Sequence, residues 1–156
     1  MRGYAAIGLD NPKNPLNVGS ALRAAGCYGA AMLAVGGPRP SKFIGKCATD
    51  TQKAFRHMPV LRADDVMALI PFDCVPVAVD IVDGAIDLRE YKHPERAFYV
   101  FGAEDATLGA RIIGRCRDVV SIPTAYCMNL AATVNVVLYD RLAKSDKTAS
   151  DAPEAP

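Results

Sequence analysis

Residues 119–139 read VVSIPTAYCMNLAATVNVVLY and contain no charged side chain. A membrane span is one explanation of such a stretch, but Pro123 and Asn129 are costly in lipid, and the proline would break a spanning helix. We interpret it as a buried strand, a loop and a buried helix that ends near Ala143. Because this helix is apolar nearly all round, we expect its own domain to cover one side and a second subunit to cover the other.

Upstream of this segment, short apolar runs alternate with stretches of helical period. The predicted strands are Tyr4–Leu9, Ala31–Val35, Val75–Val79, Ala97–Phe101 and Val119–Ile122, and the predicted helices are Asn17–Gly29, Thr51–His57, Ala63–Ile70, Ala110–Cys116 and Leu130–Ala143. Alternation of this kind is typical of an α/β protein with a mainly parallel sheet flanked by helices. In such folds ligands bind at the carboxyl ends of the strands.

The composition narrows the class of protein. A chain of 156 residues with 51% hydrophobic and 22% charged residues predicts one globular domain, which we place at residues 1–144, with a disordered tail at 145–156. The net charge of +1 means that any nucleic-acid contact must come from a local basic patch.

The five cysteines include no C-x-x-C pair and there are only two histidines, so we predict no metal site. The first residues lack a secretory pattern, and we expect a cytoplasmic protein without a membrane span.

Three polar clusters stand at the ends of predicted strands, while a dinucleotide-binding G-x-G-x-x-G and a P-loop are both absent. The first is N-P-x-N-x-G-x-x-x-R, in which Asn17 is predicted to cap the helix that carries Arg23. The second is F-G-x-E-x-x-x-x-G, with Glu104 at a strand exit. The third is I-P followed by M-N-L, in which Asn129 is predicted to cap the last helix. Each cluster taken alone is most simply a helix cap or a turn.

The order and spacing of all three clusters resemble the SPOUT methyltransferases, and most closely the SpoU/TrmH-type branch. The resemblance runs from about residue 5 to 143 and implies a SPOUT fold with a C-terminal trefoil knot, a homodimer, and S-adenosylmethionine as methyl donor without a metal. The activity it implies is 2′-O-ribose methylation of RNA, with tRNA favoured over rRNA. The chain is about the size of the members that modify the wobble nucleotide 34 of tRNA.

The resemblance also assigns roles to individual residues. Catalytic roles are implied for Arg23, Asn17, Glu104 and Asn129. Cofactor binding is implied for Val79, Phe101, Gly102, Ile122, Pro123, Cys127, Met128, Asn129 and Leu130. The local excess of positive charge adds Lys42, Lys46, Lys53 and Arg56 to Arg23 as expected RNA contacts.

Two positions depart from the family pattern. Cys127 stands where a serine is common, and Ala131 replaces a second frequent serine. A thiol donates hydrogen bonds more weakly than a hydroxyl does. An RNA-binding relative with the same fold but little catalysis therefore remains an alternative, as does an unrelated nucleotide-dependent α/β enzyme.

Overall fold

The computed structural model describes residues 3–42 and 49–150. Its strands are β1 (Tyr4–Asp10), β2 (Met32–Gly36), β3 (Val60–Ala63), β4 (Val75–Val79), β5 (Ile86–Asp87), β6 (Arg96–Phe101) and β7 (Asp118–Ser121), and its α-helices are α1 (Pro15–Cys27), α2 (Gly109–Ile113) and α3 (Leu130–Ser150). Short 3₁₀ helices cover Arg39–Lys42, Ala54–Arg56 and Val66–Leu69. The described strands form one sheet in the order β3-β2-β1-β6-β4-β7-β5, and every neighbouring pair is parallel. The predicted α/β class is confirmed; the knot stays a prediction.

The central strands are apolar without interruption because both faces of the sheet are covered. Along β6, Tyr99 and Phe101 point to the core shared with α1 and α3. Phe98 and Val100 point to the opposite core, which the 3₁₀ helix Val66–Leu69 and the buried Ile112 of α2 help to close. Alternate side chains of one strand therefore hold the two layers of helices in place.

The strand register brings four loops to one edge of the sheet. Leu9 near the end of β1 pairs with Phe101, the last residue of β6, which also pairs with Val79 at the end of β4. Val79 in turn pairs with Val120 of β7. Since the carboxyl ends of parallel strands share an edge, the loops after β1, β4, β6 and β7 lie side by side.

Two predicted helices are wrong. Residues 63–70 divide into the end of edge strand β3 and the 3₁₀ helix Val66–Leu69, and neither β3 nor β5 was predicted. Asp65 caps that 3₁₀ helix by accepting a hydrogen bond of 3.0 Å from Met67 N, and Pro71 disfavours helical geometry at the residue before it. Thr51–His57 likewise contains only the 3₁₀ helix Ala54–Arg56. These segments have short apolar runs that periodicity alone assigns poorly.

Helix α3 extends to Ser150, seven residues beyond its predicted end. It thus includes the first six residues of the segment expected to be a disordered tail, and residues 151–156 lie outside the described part of the chain. Val134, Val137 and Leu138 are fully buried against the sheet, whereas Tyr139 is 60% exposed. Among the described helices, none is long and apolar enough to cross a membrane.

A buried polar network ties α3 to the sheet. His93 Nδ1 lies 2.6 Å from the Tyr99 hydroxyl, and His93 Nε2 lies 2.8 Å from Asp140 Oδ2. Arg141, only 2% exposed, donates hydrogen bonds to the Tyr99 hydroxyl at 3.0 Å and to Pro94 O at 2.6 Å. Buried polar groups of this kind fix one packing geometry because leaving any of them unpaired is costly.

Candidate active site

The first predicted cluster forms the start of α1, but its cap differs from the prediction. Asn14 is the N-cap, its side chain accepting a hydrogen bond of 2.9 Å from Leu16 N, and Pro15 follows as the first helical residue. Proline suits that position because its missing N–H would have no helical partner there. Asn17 therefore lies inside the first turn, and its amide is free to make contacts across the site.

Those contacts join all three sequence clusters. Asn17 Nδ2 donates to Glu104 Oε1 at 2.6 Å, and Asn17 Oδ1 accepts from Asn129 Nδ2 at 2.9 Å. Asn129 also caps α3 as predicted, since its Oδ1 accepts from Ala131 N at 2.9 Å. The chain of hydrogen bonds thus fixes the starts of α1 and α3 against the loop that follows β6.

Glu104 acts as an acceptor in this arrangement. Besides the bond from Asn17, its carboxylate accepts from the backbone N–H of Lys13 at 2.8 Å and of Asn14 at 3.3 Å. Partial burial acts to raise the pKa of Glu104, but these hydrogen bonds to the charged form outweigh it and leave the pKa below its usual value. Glu104 is therefore an ionised anchor and is poorly suited to act as a general acid near neutral pH.

A cavity of about 540 Å³ lies beside these residues, within the size range of small-molecule sites. Seven of the nine residues predicted to bind the cofactor line it: Val79, Phe101, Gly102, Ile122, Cys127, Met128 and Leu130. The structure places Pro123 and Asn129 outside the lining, both exposed in the loop before α3. Ala131, the second departure from the family pattern, is buried in α3.

The loop after β6 that forms one wall of the cavity is tightly folded. A Cβ added to Gly102 would lie 3.1 Å from Ala106 O and 3.4 Å from Leu108 N, closer than most side-chain contacts. Glycine is therefore the residue that lets this loop turn back on itself beside the cavity.

Asp80 is a residue of this site that the sequence reasoning missed. It follows β4 directly, lines the cavity, and accepts hydrogen bonds from Ile81 N at 2.8 Å and from Leu108 N at 2.7 Å. The second bond ties the loop after β6 to the end of β4. A carboxylate at the carboxyl end of a predicted parallel strand was the available signal.

The charge of the cavity limits what it can bind. Among the residues that the structure describes, its lining includes three carboxylates, from Asp80, Glu104 and Asp105, and no lysine or arginine. Asp105 also pairs with Arg39 at 2.9 Å, and this ion pair keeps the pKa of Asp105 below its usual value. Nucleotide phosphates are normally held by cations or by helix N-termini. The N-terminus of α3 does border the cavity at Leu130, but the Asn129 side chain already accepts from Ala131 N there, so the three carboxylates leave the lining better suited to a ligand without phosphate.

Arg23 does not line this cavity. It lies in a second hollow of about 530 Å³ formed with Ser20, Ala24, Cys27, Thr49, Thr51 and Asn135. Its Nη1 donates a hydrogen bond of 3.1 Å to Thr51 Oγ1. Of the other predicted RNA contacts, Lys53 and Arg56 are exposed, whereas Lys46 and the side chain of Lys42 lie outside the described residues.

The fold and the site together define an α/β protein with an acidic, cofactor-sized cavity at the carboxyl edge of an all-parallel sheet. The chain belongs to the SpoU rRNA methylase family, whose profile matches residues 4–139. The resemblance inferred from the three sequence clusters is thereby confirmed. Among curated proteins, none matches the chain significantly.

Solved structures share the fold. The SpoU methyltransferase AviRb from Streptomyces viridochromogenes is 24% identical, with a TM-score of 0.82 over 95% of this chain and 62% of that one. A TrmH/SpoU tRNA modifying enzyme from A. aeolicus is 18% identical, with a TM-score of 0.81 over 100% of this chain and 83% of that one. A structure solved to explain 2-OH methylation of C/U34 on tRNA is 21% identical, with a TM-score of 0.77 over 94% and 93% of the two chains. The chain spans about three fifths of the length of AviRb.

Proposed function

We propose that the protein transfers a methyl group from S-adenosylmethionine to the 2′-hydroxyl of a ribose in RNA. The observation that carries this proposal is the cavity at the edge where the three family clusters meet, whose described lining has three carboxylates and no cation. S-Adenosylmethionine has a sulfonium and no phosphate, so its charge fits this lining. AviRb has also been solved with the same cofactor.

When bound, the cofactor supplies an electrophilic methyl group. The apolar walls, which include Val79, Phe101 and Leu130, exclude water, and exclusion of water strengthens polar contacts inside the cavity. Asp80 and Gly102 shape the loop that closes one side. Asn129 and Asn17 keep this loop and the two helix starts in fixed relative positions.

Arg23 is proposed to act on the substrate side. A guanidinium remains protonated at ordinary pH, so it is unsuited to remove the hydroxyl proton. Its fixed charge would stabilise the oxygen as negative charge develops and would hold an adjacent phosphate in a bidentate contact. The hydroxyls of Ser20, Thr49 and Thr51 around it offer further polar contacts to a ribose or phosphate.

We propose a homodimer as the working form. Arg23 and the cofactor cavity lie in separate hollows of one chain, so a complete site would combine the cavity of one protomer with the arginine of another. The exposed Tyr139 and the half-buried Val136 on α3 offer apolar surface for that contact. A trefoil knot around the cavity and a cytoplasmic setting belong to the same proposal, and no metal is invoked.

The proposed substrate is tRNA, with nucleotide 34 as the favoured position. The chain covers 93% of the solved structure concerned with C/U34 of tRNA, and this similarity supports the choice. An rRNA target is the alternative, since the matched family is described by rRNA methylation.

Transfer of a labelled methyl group to total RNA from a strain lacking this gene tests the proposal. Label in a 2′-O-methyl nucleoside of the tRNA fraction is the expected result, and label in rRNA would retain the chemistry and change the substrate. Binding of S-adenosylmethionine without any transfer would favour an RNA-binding relative with lost catalysis. The exposed thiol of Cys127 in the cavity is the observation behind that second candidate.

A further inference from the structure

An exposed surface lies beside the hollow of Arg23 and is not used by the proposed chemistry. It comprises Lys53, Phe55, Arg56 and the edge strand β3, and we call it the Phe55 surface. Phe55 is 53% exposed, and Val60 and Leu61 of β3 are each 42% exposed. A single exposed phenylalanine is ordinary on a protein surface, so the significance of Phe55 comes from the cations around it.

The turn that presents Phe55 is rigid. Asp50 is only 6% exposed, and its carboxylate accepts hydrogen bonds from Ala54 N at 3.0 Å and Phe55 N at 3.5 Å. Ala54 is buried against α1, where a Cβ added to Gly26 would lie 3.1 Å from the Ala54 Cβ. Lys53 adopts a left-handed backbone conformation with φ of 53° at the start of the turn. The backbone from which the half-exposed Phe55 ring projects is therefore held by these contacts.

The charge of the surface is unbalanced. Within the described residues, no carboxylate forms an ion pair with Lys53, Arg56 or Arg62, whereas several other arginines of the chain do have carboxylate partners. The Arg56 guanidinium lies 5.9 Å from the centre of the Phe55 ring. A ring exposed among unpaired cations matches a polyanion that carries aromatic bases.

The turn that carries Phe55 contacts the same helix as the hollow of Arg23, because Ala54 packs against Gly26 of α1. Thr51 lines that hollow and accepts the hydrogen bond from Arg23, and Phe55 follows four residues later. A nucleic acid with a ribose at Arg23 is therefore placed to reach Phe55 with a nearby nucleotide.

We propose that Phe55 is a stacking platform for an unpaired RNA base next to the methylated nucleotide, with Arg56 and Lys53 holding the flanking phosphates. This inference rests on the proposed function for its substrate class. It requires single-stranded RNA at this point, because a base can stack on a side chain only when it has left its own helix.

The test compares full-length wild-type protein with Phe55→Ala, Phe55→Trp and the control Phe72→Ala, which removes a ring that is 92% exposed elsewhere. The probes are a fluorescein-labelled RNA hairpin with an unpaired loop and a fully paired duplex of the same composition. Phe55→Ala should weaken binding of the loop RNA by roughly fivefold to a hundredfold and leave duplex binding unchanged. Phe55→Trp should restore binding, Phe72→Ala should match wild type, and calorimetric binding of S-adenosylmethionine should be the same in all four proteins.

Loop RNA bound equally by Phe55→Ala and wild type would overturn the inference, as would an equal loss for loop and duplex. A changed oligomeric state with unchanged RNA binding would assign the surface to a protein contact and overturn it too. Phe55-dependent binding of loop RNA without methyl transfer by wild type would refute the proposed function and leave Phe55 as a stacking residue for unpaired RNA.

Discussion

Asn17 and Glu104 are 87 residues apart in the sequence, yet the amide of one donates a hydrogen bond of 2.6 Å to the carboxylate of the other. The same carboxylate accepts from two backbone N–H groups that precede α1. This contact joins the first two polar clusters, and the bond from Asn129 to Asn17 adds the third. The starts of two helices and one cavity wall therefore depend on a single ionised side chain.

Glu104→Gln should destabilise the protein by about 1 kcal/mol. The NH₂ group of glutamine would face one of the N–H donors that now bond to the carboxylate, and that hydrogen bond would be lost. The urea midpoint measures the effect. The matched control is Asp105→Asn, the neighbouring residue, whose exposed ion pairs with Arg39 and Lys13 should contribute about 0–1 kcal/mol. Equal midpoints for Glu104→Gln and wild type would show that the three-cluster contact adds no stability.

Arg23→Ala should abolish methyl transfer while S-adenosylmethionine still binds, since Arg23 lies outside the cofactor cavity. Labelled-methyl transfer and calorimetry measure the two properties separately. Arg23→Lys should recover only part of the rate because an ammonium group lacks the bidentate geometry. Loss of cofactor binding in Arg23→Ala would place the arginine in the cavity instead.

Asp80→Asn should weaken S-adenosylmethionine binding by roughly three- to tenfold, since a neutral amide holds Leu108 N less firmly and removes one negative charge from the cavity. Calorimetric titration gives the dissociation constant. Asp83→Asn is the control, because Asp83 is an exposed carboxylate nearby that does not line the cavity. The role of Asp80 is refuted by equal affinities of the two variants.

Stability should fall as the pH drops below about 6.5, the usual pKa of a histidine. Burial lowers the pKa of His93, and Arg141 and Lys144 act in the same direction, while the hydrogen bond and charge of Asp140 partly oppose them. The unfolded chain therefore takes up a proton at a higher pH than the folded chain does. Between the two pKa values, the free energy of unfolding decreases as the pH falls. The contribution of His93 to stability is fully present above its pKa in the unfolded chain. It is lost as the pH falls towards its pKa in the folded protein.

Urea midpoints measured from about pH 7.5 down to 5.5 test this dependence. His93→Gln should be less stable at the higher pH, because it alters the contacts with Tyr99 and Asp140, and should show a flatter decline. His57→Gln replaces the exposed histidine and should keep the wild-type decline. The same slope in His93→Gln and wild type would assign the decline to other groups.

The purified protein should be a dimer at micromolar concentration by light scattering. Tyr139→Arg places a charge on the outer face of α3, where the tyrosine is 60% exposed, and should shift the protein towards the monomer. Methyl transfer should fall with the dimer fraction if the site is shared. A monomeric wild type that transfers methyl groups would refute the shared site.

The sequence by itself determined the α/β class, five of the seven described strands, and the three clusters that identify the family. Local patterns were enough for this, because apolar runs such as those of β4 and β6 mark buried parallel strands wherever they occur. The cap at Asn129 was also readable, since capping depends on neighbouring residues.

The tertiary structure alone decided which side chains meet. Asn17 binds Glu104 and Asn129, Arg23 lies in a hollow separate from the proposed cofactor cavity, and Asp80 holds a loop 28 residues away. Each contact depends on strand order and register, which place distant loops at one edge of the sheet. Residue spacing in the chain carries no information about such pairs, because it is the folding of the sheet that sets their distances.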